Sequence, residues 1–585
     1  MEDPKMKMSR KSCDFCYTRK IKCDAQKPRC SQCIVHKRGC TYGAPSRQPR
    51  PKCRKVDIQS DDDTSALRTR VRRLELELQQ LTKESRGYGE VHENQRGQPE
   101  PTPTVIVPVL TVTSEGKGVN YDCSSQALDL PPLEQAIHVV NLFLENFNTV
   151  LPLFHPETLL RLLYTTYNLD PRSRDPVAWA AINVVLALAY QQRLMGSSNV
   201  HRAVEYLARA QSALSDVVLG DPRLLNIQVL VGMVMLLQAA KDLQPALILI
   251  ATTLRLAHKI GLHSRFSALH STLSVARQRA NVFWLAYVLD KNLSLRSKQP
   301  SIQRDDDIDL DLPSALPQEN NQSEGGVSDE ANSFDLGQIT SVDGSLKMDY
   351  FVTRIHLAVI EGGVYDYLYS TASQKRTPEE RSDALNSVYS ALRQWKSCIP
   401  AEFRGLESVQ RMSPTVLAFL GVLDATSLMC TSLISQAHAW NPQWMNSLQK
   451  YDKEGVALWM PPQWETLVAE SRHLLVFTEP LGPMDRWNFW TTGCSYMTAM
   501  VSLTANTMQN SLHGFATVDS QLVDTALGRL GSIVQETNNE ELRSFHKNCI
   551  ELHQSTQQKR RNLTTMFDDR NIYPSFHNSE EEIAG

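Results

Sequence analysis

Six cysteines near the start of the chain repeat one spacing twice: Cys13-x2-Cys16-x6-Cys23, then Cys30-x2-Cys33-x6-Cys40. The halves are offset by seventeen residues, so the cluster is also an internal repeat. Zinc takes four tetrahedral ligands, and thiolate is among its commonest. One ion would leave two of the six thiolates idle. Two ions need eight ligand positions, which six thiolates fill only if two of them bridge. The repeat supplies that arrangement, with three thiolates from each half and the equivalent cysteine of each half serving both metals. The expected cofactor is therefore zinc, two ions per chain. Disulfides are the competing reading of an even count. Against them, Met1 to Lys11 is charged and lacks the apolar core of a secretory leader. Cys53, Cys123, Cys398, Cys430, Cys494 and Cys549 are scattered without pattern, as reduced thiols of an intracellular protein would be. His36 breaks the repeat rather than joining it.

Charge is distributed to match. Residues 1–60 hold 16 Lys and Arg against 5 Asp and Glu, leaving 45 basic against 59 acidic side chains in the rest of the chain. A compact basic head on an acidic body is the electrostatic footprint of phosphate-backbone binding. Arg19, Lys20 and Lys22 sit between metal ligands, so a metal frame would fix their backbone. Arg or Lys donating to guanine O6 and N7 is the commonest specific major-groove contact. Lys11, Lys27, Arg29, Lys37 and Arg38 are better placed as phosphate contacts, which position a protein without reading sequence.

The run Cys13-Asp14-Phe15-Cys16-Tyr17-Thr18-Arg19-Lys20-Ile21-Lys22-Cys23, followed by Lys27-Pro28-Arg29-Cys30, resembles the fungal zinc binuclear cluster DNA-binding domain. The resemblance implies that Cys13 and Cys30 bridge the two metals. It further implies that the short helix after the second cysteine enters the major groove at a CGG half-site. The family's base-contacting lysine falls on Lys20, with Arg19 beside it, and Pro28 forms the loop between the halves.

Beyond Cys40, Pro45, Pro49 and Pro51 predict a semi-extended tether. Its basic run, Arg47, Arg50, Lys52, Arg54 and Lys55, fits phosphate contact and nuclear import equally. Asp61 to Ser65 supplies a helix start. Leu67, Val71, Leu74, Leu78 and Leu81 follow at heptad spacing, leucines at d and Val71 and Leu78 at a, which predicts a short parallel coiled coil and a homodimer. A dimer would set two heads on two half-sites.

From about Leu133 apolar residues recur at helical spacing almost to Asn548. Trp179 to Tyr190, Ile227 to Leu237 and Ala246 to Leu256 read as core helices, none with the apolar length of a membrane span. This region resembles the fungal transcription-factor middle homology region, through Leu144-Glu145-Asn146-Phe147, Leu153-Phe154-His155-Pro156, Ala257 to His263, Val282-Phe283-Trp284 and Gln299-Pro300-Ser301-Ile302. The likeness covers about residues 135–400 and implies regulation rather than catalysis. No nucleophile elbow, P-loop, dinucleotide fingerprint or HExxH pair is present. Asp305, Asp306, Asp307, Asp309 and Asp311 lack the glycine and closing glutamate of a calcium loop and read as a solvated acidic turn. His258 and His263 read as helix-end chemistry, and Trp284, Tyr287, Trp487 and Trp490 as core or pocket lining.

The expected fold is mainly α: a small N-terminal two-zinc cysteine cluster, a short coiled coil and a large all-helical regulatory domain. The expected boundaries are a cluster domain (1–45), a basic proline-bearing linker (46–64), the coiled coil (65–84), a disordered linker (85–130), a first helical part (131–313), a disordered insertion (314–345), a second helical part (346–550) and an acidic tail (551–585). The tail mixes acids with Met566, Phe567, Ile572, Tyr573 and Phe576, a composition found in activation segments. The reading is a nuclear, zinc-dependent, sequence-specific regulator of transcription, not an enzyme. Its expected partners are double-stranded DNA, a second copy of the chain and transcription machinery or co-regulators, with no membrane. A zinc-stabilised interaction scaffold without base reading is the alternative. Glu361-Gly362 and Val364 to Ser370 resemble sequences in regulators of secondary-metabolite clusters, against control of primary metabolism or drug response.

Overall fold

The computed structural model describes residues 12–41, 128–192, 201–313, 336–404, 410–437, 460–481, 486–537 and 539–569, apart from Lys20, Ile21, Lys37, Lys241 and Leu269. The chain forms two compact units, Met1–Val119 and Asn120–Gly585. In the first, two short helices, α1 (Asp14–Thr18) and α2 (Ser31–Val35), occupy equivalent places in the two cysteine repeats. The tether, the heptad leucines and the segment Thr104 to Val112 lie outside the described residues.

The second unit is built from helices. It opens with α3 (Leu133–Phe143), which runs into a π-helical turn at Leu144–Asn148. That turn directs Phe147 into the core and leaves Asn148 buried, where its side chain bonds both the amide and the carbonyl of Phe154. Next come α4 (Pro156–Tyr167) and α5 (Pro176–Gln191). Pro176 opens α5 and Asp175 caps it through the Val177 amide, so its start is fixed before an apolar run of buried residues from Val177 to Tyr190. Helices α6 (His201–Ser212), α7 (Leu214–Leu219) and α8 (Leu224–Leu237) follow. Both α5 and α8 are apolar all round, which fits helices with neighbours on every side. Gly232 is where α8 crosses α5 most closely: a Cβ there would collide with Val184.

Helix α9 (Gln244–Lys259) leads to the 25-residue α10 (Leu273–Ser297), capped by Thr272 and closed by Lys298 in the left-handed region. The segment after it folds back on α10. Asp290 accepts from the amides of Ile302 (3.1 Å) and Gln303 (2.9 Å), and buried Lys291 donates to Gln303 O (2.9 Å) and pairs with Asp305 (2.9 Å). The Gln299 to Ile302 motif that resembled the middle homology region is thus held against α10.

The acidic turn is more than a solvated loop. Asp305 serves Lys291 and also accepts from Tyr287 (2.9 Å), while Asp309 and Asp311 pair with Arg265. Trp284 is buried, and its indole donates to Asp311 O (3.0 Å).

Residues 336–345, expected to belong to a disordered insertion, are ordered. Gln338–Thr340 (β1) and Lys347–Asp349 (β2) pair antiparallel, with Ile339 opposite Met348 and both buried. The turn between them uses Asp343 to accept from Ser345 and Gly344 at φ +71°. Two buried side chains are too few to make a periodic signal in a polar sequence. Asp349 then caps α11 (Tyr350–Val364) through Val352 N.

After α12 (Pro378–Cys398), helix α13 (Pro414–Ala437) joins two apolar cores. It gives Phe419 and Ile434 to the first and Ala425 and Leu428 to the second. By length and composition α13, which was not among the core helices read from sequence, is the one described helix long and apolar enough to cross a membrane, and 78% of its apolar window is buried inside the protein. That burial accounts for its composition. The second core is completed by α14 (Trp464–Thr478), α15 (Arg486–Gln509), α16 (Ala516–Thr537) and α17 (Glu540–Asp569). The side chains of Trp487 and Trp490 lie outside the described residues.

Helix α17 corrects the expected tail, since residues 551–569 are helical. Leu542, Phe545 and Cys549 pack on the second core, and the same face continues in polar residues. His553 and Gln557 bond Asp524, and Arg560 bonds Ala516 O. An apolar count therefore ends the helix too early.

Candidate metal centre and nucleic-acid interface

The repeat brings all six cysteines together. The sulfurs of Cys13, Cys16, Cys23 and Cys30 lie within 4.8 Å of one another, and so do those of Cys13, Cys30, Cys33 and Cys40. Cys13 and Cys30 belong to both groups. None of the six is in a disulfide. The separations Cys13–Cys30 (3.7 Å), Cys13–Cys33 (3.6 Å) and Cys16–Cys30 (3.6 Å) match the roughly 3.8 Å edge of a tetrahedron with Zn–S bonds of about 2.3 Å. The donor set and its spacing fit two zinc ions that share an edge. Among the described residues no other group of three or more His, Cys, Asp or Glu side chains converges in this way.

The seventeen-residue offset extends beyond the sulfurs. The residue after the first cysteine of each half meets the residue after the third cysteine of the other. Asp14 N donates to Thr41 O (2.7 Å), and the Thr41 hydroxyl donates to the Asp14 carboxylate (2.8 Å). In the equivalent place, Ser31 N donates to Asp24 (3.2 Å), and the Ser31 hydroxyl bonds the same carboxylate. Acid and hydroxyl have exchanged places between the halves, and the contact survives. These donors hold the Asp24 carboxyl below its usual range. Asp14, Asp24, Ser31 and Thr41 were not singled out from sequence. Comparing the halves for complementary partners, rather than identical ones, is the signal that finds them.

Packing also sets the chemistry of the thiols. Burial, reinforced by neighbouring sulfurs, pushes Cys16 and Cys33 up, and burial pushes Cys30 up. Burial acts to raise Cys13 as well, but the Cys16 amide and the adjacent thiols outweigh it and bring Cys13 to about 6. Six thiolates this close repel one another. A divalent cation would supply the missing positive charge and displace protons as it bound.

Arg19 and Lys22 are exposed, Arg19 immediately after α1 with its amide bonded to Phe15 O (3.1 Å). Lys27, Arg29 and Arg38 are exposed as well, and Lys20 lies outside the described residues. His36 caps the end of α2 and packs against Phe15 at 5.8 Å, apart from the sulfur groups, as the broken repeat implies.

A six-cysteine metal centre on a basic segment, followed along the chain by a large helical unit, points to a metal-organised regulator. The family described as "Fungal Zn(2)-Cys(6) binuclear cluster domain" matches residues 11–49, and "Fungal specific transcription factor domain" matches residues 140–397. The chain belongs to the fungal zinc-cluster transcription factors. It is 30% identical over 439 residues to an "ABC-transporter-regulating transcription factor" of Aspergillus oryzae, covering 73% of this chain and 47% of the relative. A protein of the same description in Aspergillus fumigatus is 29% identical over 433 residues, covering 72% and 46%. The "Fusaridione A cluster transcription factor" of Fusarium heterosporum is 26% identical over 270 residues, covering 46% and 48%. The chain thus spans about half the length of the curated relatives it matches. No solved structure matches it.

Proposed function

We propose that the chain is a nuclear, zinc-dependent transcription regulator that reads DNA in sequence-specific fashion, as a dimer on CGG-type half-sites. Two zinc ions are held by Cys13, Cys16, Cys23, Cys30, Cys33 and Cys40, with Cys13 and Cys30 shared. The observation that carries this reading is the pair of overlapping four-sulfur groups with two sulfurs in common. Lys20 is the base reader, flanked by Arg19 and Lys22, and the leucine heptad from Leu67 through Val71, Leu74 and Leu78 to Leu81 joins two copies. The helical unit governs output.

For target genes, the relatives favour transporter control. The two named for ABC-transporter regulation match about 72–73% of this chain, against 46% for the relative named for a fusaridione cluster. A secondary-metabolite cluster is the second reading and rests on that third relative. Comparing transcripts with and without the gene separates the two.

Lys20→Ala tests the base-reading assignment. Its affinity for a CGG duplex should fall by roughly 5- to 150-fold, while its affinity for a scrambled duplex should change little. Fluorescence anisotropy on both duplexes at fixed salt measures this. An equal loss on both would make Lys20 a phosphate contact.

A further inference from the structure

The helical unit holds a cleft lined mainly by its first apolar core. The cleft is open at its mouth and holds a free volume of about 60 Å³. Most of the wall is apolar and aromatic, with Phe147, Leu188, Met235, Leu285, Tyr350 and Phe419 among the residues that form it. It is drawn from α5, α8, α10, α11 and α13, with Thr491 of α15.

Polar residues interrupt that wall in a specific way. Gln192, just past α5, and Thr491, in α15, both line the cleft. The Gln192 amide nitrogen and the Thr491 hydroxyl are each shielded from solvent and have no hydrogen-bond partner in the protein. Buried polar atoms are nearly always paired, because leaving one unpaired costs the desolvation it suffered. Two such atoms at one apolar cleft, from elements far apart in sequence, are the pattern of a site that takes its partners from a ligand.

The charges present narrow the ligand. Arg354 also lines the cleft, but its guanidinium is held by Glu361 (2.6 Å), which accepts in turn from Asn292 (2.6 Å). A guanidinium already neutralised in this way gives an anion little to gain. The Gln192 amide nitrogen only donates, so the ligand must bring an acceptor.

We propose that this cleft binds an uncharged, predominantly apolar small molecule carrying a carbonyl or hydroxyl oxygen, held by Gln192 and Thr491. Because Thr491 of α15 faces a wall drawn from the first core, occupancy would tie α15 to that core, as an effector of the regulatory unit should. The proposal does not rest on the DNA-reading assignment, and its test reads binding directly.

The experiment titrates the full-length, zinc-loaded chain with Nile red, an uncharged dye with one ring carbonyl. Saturable binding of one dye per chain is expected. Thr491→Val and Gln192→Leu should each weaken it by roughly 3- to 10-fold, the worth of one hydrogen bond. Their melting temperatures should hold or rise, since each removes an unpaired buried polar atom. Val422→Trp, which fills the cleft from its wall, should abolish binding. The near-isosteric Thr491→Val keeps the test decisive if the tryptophan variant fails to fold. Absence of saturable binding, as for a cleft that holds only water, would overturn the proposal. So would wild-type affinity in Thr491→Val and Gln192→Leu, or a lowered melting temperature in Thr491→Val, which would mark its hydroxyl as structural.

Discussion

Cys13→Ala and Cys30→Ala should each strip both zinc ions from the chain, whereas Cys16→Ala, Cys23→Ala, Cys33→Ala and Cys40→Ala should each weaken one. The asymmetry follows from the sulfurs that the two groups share. Removing a shared thiolate leaves both metals with three ligands. Removing any other leaves one metal with three and its neighbour intact. Structural zinc in small modules contributes about 10–16 kcal/mol of apparent binding free energy near neutral pH, which is also the folding energy of the module. A segment whose described core consists of cysteines, with Phe15 packed beside them, has little else to fold around. Zinc content after equilibration against a chelator, measured by mass spectrometry, should be about two ions in the parent chain. It should be near zero in the two bridging variants and about one in the other four. The Asn120–Gly585 unit should melt unchanged in all six, because it has its own cores. Equal zinc loss across all six variants would contradict the sharing.

Glu361→Ala should destabilise the helical unit by about 3–5 kcal/mol, the cost of leaving a buried charge uncompensated. Glu361 is fully buried and Arg354 is 5% exposed. Glu361 is the acceptor for both Arg354 and Asn292, so one substitution orphans a guanidinium and an amide together. Adding Arg354→Met should recover much of the loss, since an apolar pair of similar volume removes the unpaired charge. Urea unfolding followed by circular dichroism measures both. A loss below about 1 kcal/mol for Glu361→Ala would place the pair among weakly coupled surface bridges. Glu361 stands in the stretch whose sequence resembled regulators of secondary-metabolite clusters. Its burial gives that residue a structural reason to be there, independent of target genes.

The cysteine spacing made the metal centre legible because ligand geometry depends on residue type and on short distances along the chain. Core helices such as α5 and α8 were legible for a similar reason, since an apolar run without breaks has nowhere to go but inside. What escaped depended on partners far away in sequence. Asp24 and Ser31, or Asp14 and Thr41, look like ordinary surface residues until the halves are folded together. Asp305 is exposed, as expected, but its ion pair was hidden because its cation, Lys291, is buried in a helix fourteen residues earlier. The end of α17 was missed because its buried face changes from apolar to hydrogen-bonding residues at His553. The hairpin at Ile339 and Met348 was missed because two buried side chains make no pattern. Polar burial is invisible to periodicity, and it governs most of these cases.

The central claim is that metal-held geometry reads DNA sequence. The measurement that tests it most directly is anisotropy of the full-length chain on a duplex with two CGG triplets and on a scrambled duplex, with zinc and after chelation, at one salt concentration. With zinc, the CGG duplex should bind at least about 1,000-fold more tightly than the scrambled one. After chelation the two should bind alike and weakly, through residual basic charge alone. Equal affinity for both duplexes with zinc present, or a preference for CGG that survives chelation, would contradict the account.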